Sequence, residues 1–101
     1  MVREPVERLK EKVLKENLWI FLFKILEGGD EYAYNLRKKV NEKFGFWAGK
    51  VTSYKVLYLL EKDGYVDSYI KNRRKYYRLT KKGLEQIKKA KEFLMNLSSS
   101  L

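Results

Sequence analysis

A segment of strand-forming residues in the C-terminal half most constrains the fold. Two runs rich in β-branched and aromatic residues, YVDSYI at 65–70 and KYYRL at 75–79, flank the tetrapeptide KNRR. Such runs favour β-strands, and Asn72 readily adopts the left-handed conformation of a tight turn. Strand alternation gives Tyr77 a structural role on one face of the sheet. The segment therefore predicts a two-stranded hairpin with a basic tip.

Helical periodicity dominates the residues at the start of the chain. Apolar residues recur at helical spacing after Pro5 and predict one long helix over residues 5–27, ended by GGD at 28–30. A second, shorter helix is predicted over residues 31–43, with Asp30 as its N-cap. The first part of the chain is therefore expected to be helical.

A glycine-bounded turn separates the second helix from a third. GFWAG at 45–49 interrupts the helical pattern, and Phe46 and Trp47 are expected to fill the core or an interface there. The pattern then predicts a helix over residues 50–63, which Gly64 ends as a left-handed residue.

The last helix follows the hairpin. Thr80 is expected to cap a helix over residues 81–97, and SSSL at 98–101 should fray. The order is helix, helix, helix, hairpin, helix, which indicates an α+β, mostly helical fold.

Length and composition limit the classes of function. The 101 residues suit a single domain over 1–101, with a core over about 18–80. The chain contains no Cys and no His, which excludes thiolate nucleophiles, the usual zinc sites and imidazole catalysis. We therefore expect no enzyme, and no metal or cofactor.

Charge points to a polyanionic partner. Lys and Arg number 23 against 13 Asp and Glu, a formal net charge of +10. Such an excess favours nucleic acid or an anionic surface as the partner. The longest apolar run, LWIFLF at 18–23, is far shorter than the roughly 20 residues of a membrane span, and Met1 to Lys12 is too charged for a signal peptide. We expect a soluble, cytoplasmic, nucleoid-associated protein that does not enter a membrane.

The element order indicates a winged helix-turn-helix, in which two helices joined by a turn precede a hairpin. The second of those helices can enter the major groove of duplex DNA, here the helix over 50–63. Its candidate DNA contacts lie on the outward side and at the start of the helix: Lys50, Thr52, Tyr54, Lys55 and Tyr58. The candidate contacts at the hairpin tip are Lys71, Asn72, Arg73, Arg74 and Lys75. Tyr54 is equally compatible with a packing role.

These residues also carry a family resemblance. SYKVLYLLEKDGYVDSYIKNRRKYYRLTKKG, residues 53–83, resembles the winged-helix core of PadR-like transcriptional regulators, within the wider group that includes MarR-like repressors. LEGGDEYAYNL upstream and the aromatic pair in GFWAG add to the resemblance, which covers about residues 18–85. Lys55 departs from it, because the family usually has proline there. The resemblance implies a dimeric DNA-binding repressor.

The terminal helices, 5–27 and 81–97, offer more apolar surface than one small domain covers easily. We expect them to form a homodimer interface through Val6, Leu9, Val13, Leu84, Ile87, Leu94 and Leu97.

The sequence is also compatible with other functions. A small chromatin protein that coats DNA without sequence preference would need the same charge, and a winged helix can also bind an acidic protein or RNA. Trp19, Phe21, Phe23, Phe46 and Trp47 either form the core or line a site for an aromatic effector. Abundant Lys and Glu, a single Gln and no Cys are typical of hyperthermophiles, so we expect a thermophilic archaeal source.

Overall fold

The computed structural model describes residues 4–101, so Met1 to Arg3 of the predicted domain lie outside the described residues. Within residues 4–101, five helices and three strands follow one another. The helices are α1 Pro5–Glu16, α2 Leu18–Glu27, α3 Ala33–Phe44, α4 Lys50–Lys62 and α5 Lys81–Ser100. The strands are β1 Glu31–Tyr32, β2 Val66–Lys71 and β3 Arg74–Leu79. The fold is α+β and mostly helical, as predicted.

The hairpin is confirmed, with a tighter turn than KNRR suggested. β2 and β3 pair antiparallel from Val66 opposite Leu79 to Lys71 opposite Arg74. Only two residues connect them, and both have positive φ, 50° at Asn72 and 64° at Arg73. Two left-handed residues are what the favoured two-residue hairpin turn requires. The strands therefore continue to the turn itself, and the basic tip is short.

A third strand joins the sheet, and it corrects the predicted start of the second helix. Glu31 pairs with Tyr77 and Tyr32 with Tyr76, which gives the order β1-β3-β2. α3 begins only at Ala33, and Asp30 is not its N-cap. Asp30 instead accepts a hydrogen bond of 2.8 Å from the Tyr69 hydroxyl. Pairing with a distant strand thus prevails over local helix propensity in this segment.

The prediction of one long N-terminal helix is wrong, because the chain forms two helices, α1 and α2, that are separated at Asn17. This residue has φ −129° and ψ 40°, outside the helical region, and Asn is a weak helix former. On the C-terminal side of the break, Leu22 and Phe23 of α2 are buried in the core. α1 buries none of its residues. The break therefore separates a core helix from an exposed one.

The last helix starts as predicted and ends later. The Thr80 hydroxyl accepts a hydrogen bond of 3.1 Å from the Gly83 amide, which confirms the predicted cap. The expected fraying at 98–101 is not observed, because α5 continues to Ser100. The Ser100 hydroxyl donates a 2.8 Å hydrogen bond to the Asn96 carbonyl one turn earlier.

The core lies between α2, α3, α4, α5 and the inner face of the sheet. Its most deeply buried apolar side chains are Leu22, Phe23, Leu36, Val40, Leu57, Val66 and Ile87. Each such side chain stabilises the fold by about 2 kcal/mol when it leaves water. Ser53 is the one buried polar side chain within residues 4–101, and its hydroxyl donates a 2.7 Å hydrogen bond to the Gly49 carbonyl. This arrangement fixes the inner side of α4.

Candidate nucleic-acid interface

α4 presents the outward face that its periodicity predicted. Ser53 and Leu57 are buried on the inner side. Tyr58 is 64% exposed and Tyr54 47% exposed, so Tyr54 is not a core residue. The other three candidate contacts on this helix, Lys50, Thr52 and Lys55, are also exposed. α4 therefore offers basic, hydroxyl and aromatic groups to the solvent together.

The turn between α3 and α4 is held by an arginine that sequence reasoning missed. Gly45 ends α3 with φ 77°, a left-handed conformation that favours glycine. Arg37 on α3 donates a 2.8 Å hydrogen bond to the Ala48 carbonyl and lies 5.8 Å from the Trp47 ring centre. These contacts set the position of α4 relative to α3.

The two aromatic residues of this turn have different surroundings. The Phe46 ring packs edge-on against Phe21, with centres 5.2 Å apart, as a residue filling the core should. Trp47 is 52% exposed, so it does not fill the core, and its predicted role at an interface stays a prediction. Its contact with the Arg37 guanidinium holds the indole at the surface instead. An exposed Trp beside a basic helix is a candidate nucleic-acid contact. Its place in a glycine-bounded turn did not allow this exposure to be predicted from the sequence.

The five basic-tip candidates separate into three environments. Lys71, Asn72 and Arg73 are exposed, and their side chains make no hydrogen bond or ion pair with residues 4–101. Arg74 points to the outer face of the sheet, and its guanidinium carbon lies 4.6 Å from the Tyr32 ring centre. Stacking of this kind leaves the in-plane N–H groups of arginine available to a phosphate. The tip therefore carries both free and pre-positioned charges.

Lys75 has the third environment, on the inner face of the hairpin. Its ammonium donates a 3.0 Å hydrogen bond to Oε1 of Glu61 and lies 5.3 Å from the Tyr77 ring centre. The Ser68 hydroxyl donates to the second oxygen of Glu61. The Ser68 and Lys75 hydrogen bonds hold the pKa of the Glu61 carboxyl below its usual range, and the bond to Glu61 raises the pKa of Lys75. Tyr77 is buried, as predicted.

Glu61 was not among the predicted site residues. It is the only acidic residue of α4, in a helix that otherwise carries only basic charges. A single acidic residue in a basic helix could have drawn attention to Glu61. Its partners lie on β2 and β3, however, and the local sequence pattern of α4 does not show that these strands lie beside it.

The outer face of the sheet carries a row of aromatic rings. Tyr69 and Tyr76 stack with centres 5.6 Å apart, and Tyr32 meets Tyr76 edge-on at the same distance. Arg78 lies 5.5 Å from the Tyr69 ring centre. The hydrogen bond to Asp30 raises the pKa of the Tyr69 phenol. These pairs stiffen the three strands that carry the tip.

α4 and the hairpin line a common concave surface. Tyr54 borders two adjoining hollows, one shared with Arg37 and Lys50, and the other with Arg73, Arg74 and Lys75. Tyr34 lines both hollows, although sequence reasoning did not select it. We refer to this surface as the basic concave surface; it is formed by Lys50 and Tyr54 of α4, by Tyr34 and Arg37 of α3, and by Arg73, Arg74 and Lys75 of the hairpin.

The predicted dimer residues lie on α1 and α5. Six of the seven are exposed: Val6, Leu9, Val13, Leu84, Leu94 and Leu97. Ile87 is only 1% exposed, because it packs in the subunit's own core. Val13 and Leu94 also line an apolar hollow of about 260 Å³ against Phe21 and Phe44. Most of the apolar residues predicted for the dimer interface are therefore exposed in the folded chain.

Two other kinds of site are absent from residues 4–101. No helix there combines the length and apolar character that a membrane crossing requires. The same residues contain no group of three or more acidic side chains placed to hold a metal ion.

Comparison with known proteins identifies the family. A model of the PadR-like family of transcriptional regulators matches residues 22–89. The search of curated proteins found no match. A PadR family transcription regulator from Clostridium difficile is 30% identical with a TM-score of 0.75, and the match covers 81% of this chain and 91% of that one.

Further solved structures share the architecture. A transcriptional regulator from Clostridium thermocellum is 28% identical with a TM-score of 0.79, over 88% of this chain and 93% of that one. A winged-helix DNA-binding protein from STIV is 21% identical with a TM-score of 0.70, over 79% and 88% of the two chains, and supports the fold alone. The family match runs from the middle of α2 into the first half of α5. This chain belongs to the PadR-like family of transcriptional regulators and has their winged-helix DNA-binding fold.

Proposed function

We propose that the chain is a homodimeric regulator, acting as a repressor, that binds double-stranded DNA at specific sequences. The observation that carries this proposal is the basic concave surface, where the outward face of α4 adjoins the free charges of the hairpin tip. We propose that the whole chain acts as one DNA-binding domain in the cytoplasm, associated with the nucleoid.

In this proposal α4 is the recognition helix and enters the major groove. The Lys55 ammonium can donate to the acceptor edge of guanine, and the Thr52 hydroxyl and methyl groups suit phosphates or thymine. Tyr58 extends the same face by one turn. Groups that read base edges must be exposed and held on a rigid element, and the buried inner side of α4 provides that rigidity.

The hairpin is the wing in this proposal, and it supplies affinity and register. Lys71, Arg73 and Arg74 form a cluster that suits phosphates beside the major groove or a narrow minor groove, where the potential is most negative. Arg74 is already held against Tyr32, so less conformational entropy is lost when it binds.

The dimer brings two recognition helices to one site. The exposed apolar residues of α1 and α5, with the hollow lined by Val13 and Leu94, provide a surface that a second copy would cover. Two recognition helices spaced by about one turn of DNA, ~34 Å, require a pseudo-palindromic operator.

A second candidate function is DNA coating without sequence preference. The net charge of +10 favours it, because counterion release alone gives substantial affinity for any duplex. It differs from the first candidate in one measurable property, the preference for one sequence over others. A thermophilic archaeal origin stays a prediction from composition.

Two alanine variants separate base reading from charge. Lys55→Ala should weaken binding at the preferred site by about tenfold and change binding to random duplex little, because a base contact contributes roughly 1–3 kcal/mol. Arg74→Ala should weaken binding to both duplexes alike and reduce the salt slope by roughly one. Fluorescence anisotropy on labelled duplexes over a series of salt concentrations measures both effects.

The control is Lys89→Ala, which removes one exposed charge from α5 and should leave site preference unchanged. Equal losses on specific and random duplex for Lys55→Ala would contradict base reading by α4 and favour DNA coating.

A further inference from the structure

The carboxylate of Glu61 joins the last turn of α4 to both strands of the hairpin. One of its oxygens accepts from Lys75 on β3 at 3.0 Å, and the other accepts from Ser68 on β2. Glu61 is only partly exposed, and Lys75 retains about half of its exposure. A single side chain thus links the end of α4 to both strands of the hairpin, which already pair with each other along their length.

We propose that Glu61 is a positioning residue that sets the angle of the wing against α4, and that Lys75 serves this contact rather than binding a DNA phosphate. The proposal rests on the proposed DNA-binding function and assigns roles within its site. It divides the basic run at the tip by function: Lys71, Arg73 and Arg74 bind DNA, whereas Lys75 borders the same hollow but is bound by Glu61 of its own subunit.

Geometry supports this division. Register places Lys75 opposite Ile70 and two residues before Tyr77, on the sheet face that turns toward α4. Arg74 is on the other face, with Tyr32. A lysine that already binds a carboxylate releases few counterions when DNA binds, because its charge is largely neutralised beforehand. The lowered pKa of Glu61 agrees with a carboxylate that stays ionised in this contact.

Paired methionine variants test the proposal. Lys75→Met and Arg73→Met each remove one positive charge from the wing and keep a long side chain. For Arg73→Met the slope of log affinity against log salt should flatten by about 0.9, the value for one lost phosphate contact. For Lys75→Met the slope should stay at the wild-type value while affinity at the preferred site falls by about fivefold, the scale of one partly exposed ion pair. Lys75→Arg should restore that affinity.

A measurement without DNA tests the contact itself. Carboxyl NMR titration of Glu61 should show its pKa rising toward the ordinary value in Lys75→Met and staying low in Lys75→Arg. A flattening of about 0.9 in the salt slope of Lys75→Met would overturn the proposal, because Lys75 would then be a phosphate contact. An unchanged Glu61 pKa in Lys75→Met would overturn it too.

The two proposals fail in distinguishable ways. Absence of wild-type binding to any duplex at about 50 mM salt would contradict the proposed function, since nonspecific binding is strong there. Wild-type binding combined with a flattened slope for Lys75→Met would contradict only the role given to Glu61 and Lys75.

Discussion

Replacing Gly83 with alanine is expected to lower the free energy of unfolding by at least about 3 kcal/mol, the upper end of the usual cost of overpacking. A Cβ atom at this position would lie 2.2 Å from the Tyr65 carbonyl oxygen and 2.6 Å from Leu79. The carbonyl cannot retreat freely, because it accepts hydrogen bonds from the amide and the hydroxyl of Thr80. Urea unfolding followed by circular dichroism measures the change.

The matched control is Gly28→Ala. Both substitutions reduce the entropy of the unfolded chain equally, so their difference reports the native clash. At Gly28 the nearest atom to the added Cβ is the Ile25 carbonyl oxygen at 3.4 Å, and φ is −83°, which alanine accepts. We expect a change below about 1 kcal/mol there. Equal effects of the two substitutions would contradict the close approach of α5 to the start of β2.

Replacing Leu94 with aspartate is expected to dissociate the proposed dimer. Leu94 is 48% exposed and borders the apolar hollow on the terminal helices, which Lys24 and Lys91 also line. The desolvation cost of burying a carboxylate there is several kcal/mol, and a nearby lysine offsets it only in part, so the dimer dissociation constant should rise by about a hundredfold. Affinity for an operator with two half-sites should fall by about a hundredfold as well, because the second half-site contact is lost.

Asn96→Asp is the control for this substitution. It places the same charge on α5 two residues away, which is close to the opposite side of the helix. Sedimentation velocity should show a dimer for the wild type and for Asn96→Asp, and a monomer for Leu94→Asp. A dimeric Leu94→Asp protein would show that this part of α5 is not the interface.

Several parts of the fold that depend on local sequence were predicted correctly. The hairpin follows from two strand-forming runs, and the left-handed turn at Asn72 and the cap at Thr80 follow from residue type. The break at Asn17 could not be predicted in the same way, because apolar periodicity continues across it. β1 depends on pairing with a strand more than forty residues later in the chain, and no local signal reports such pairing.

The candidate site shows the same division. Helical periodicity was sufficient to place Lys55 and Tyr58 on the outward face of α4. The run of charges at the tip looked uniform in sequence, yet the sheet sends Arg74 and Lys75 to opposite faces. Only the tertiary arrangement shows that Glu61 neutralises one of these cations, because the partner comes from a different element.

Sequence-specific binding to duplex DNA by a dimer can be tested by selecting bound fragments from the source genome in the presence of excess random duplex. We expect enrichment of a pseudo-palindromic sequence whose half-sites lie about one helical turn, ~34 Å, apart. Lys55→Ala protein should lose that enrichment while still retaining DNA. A bound pool with the same sequence composition as the input, equally displaced by random duplex, would contradict sequence-specific binding.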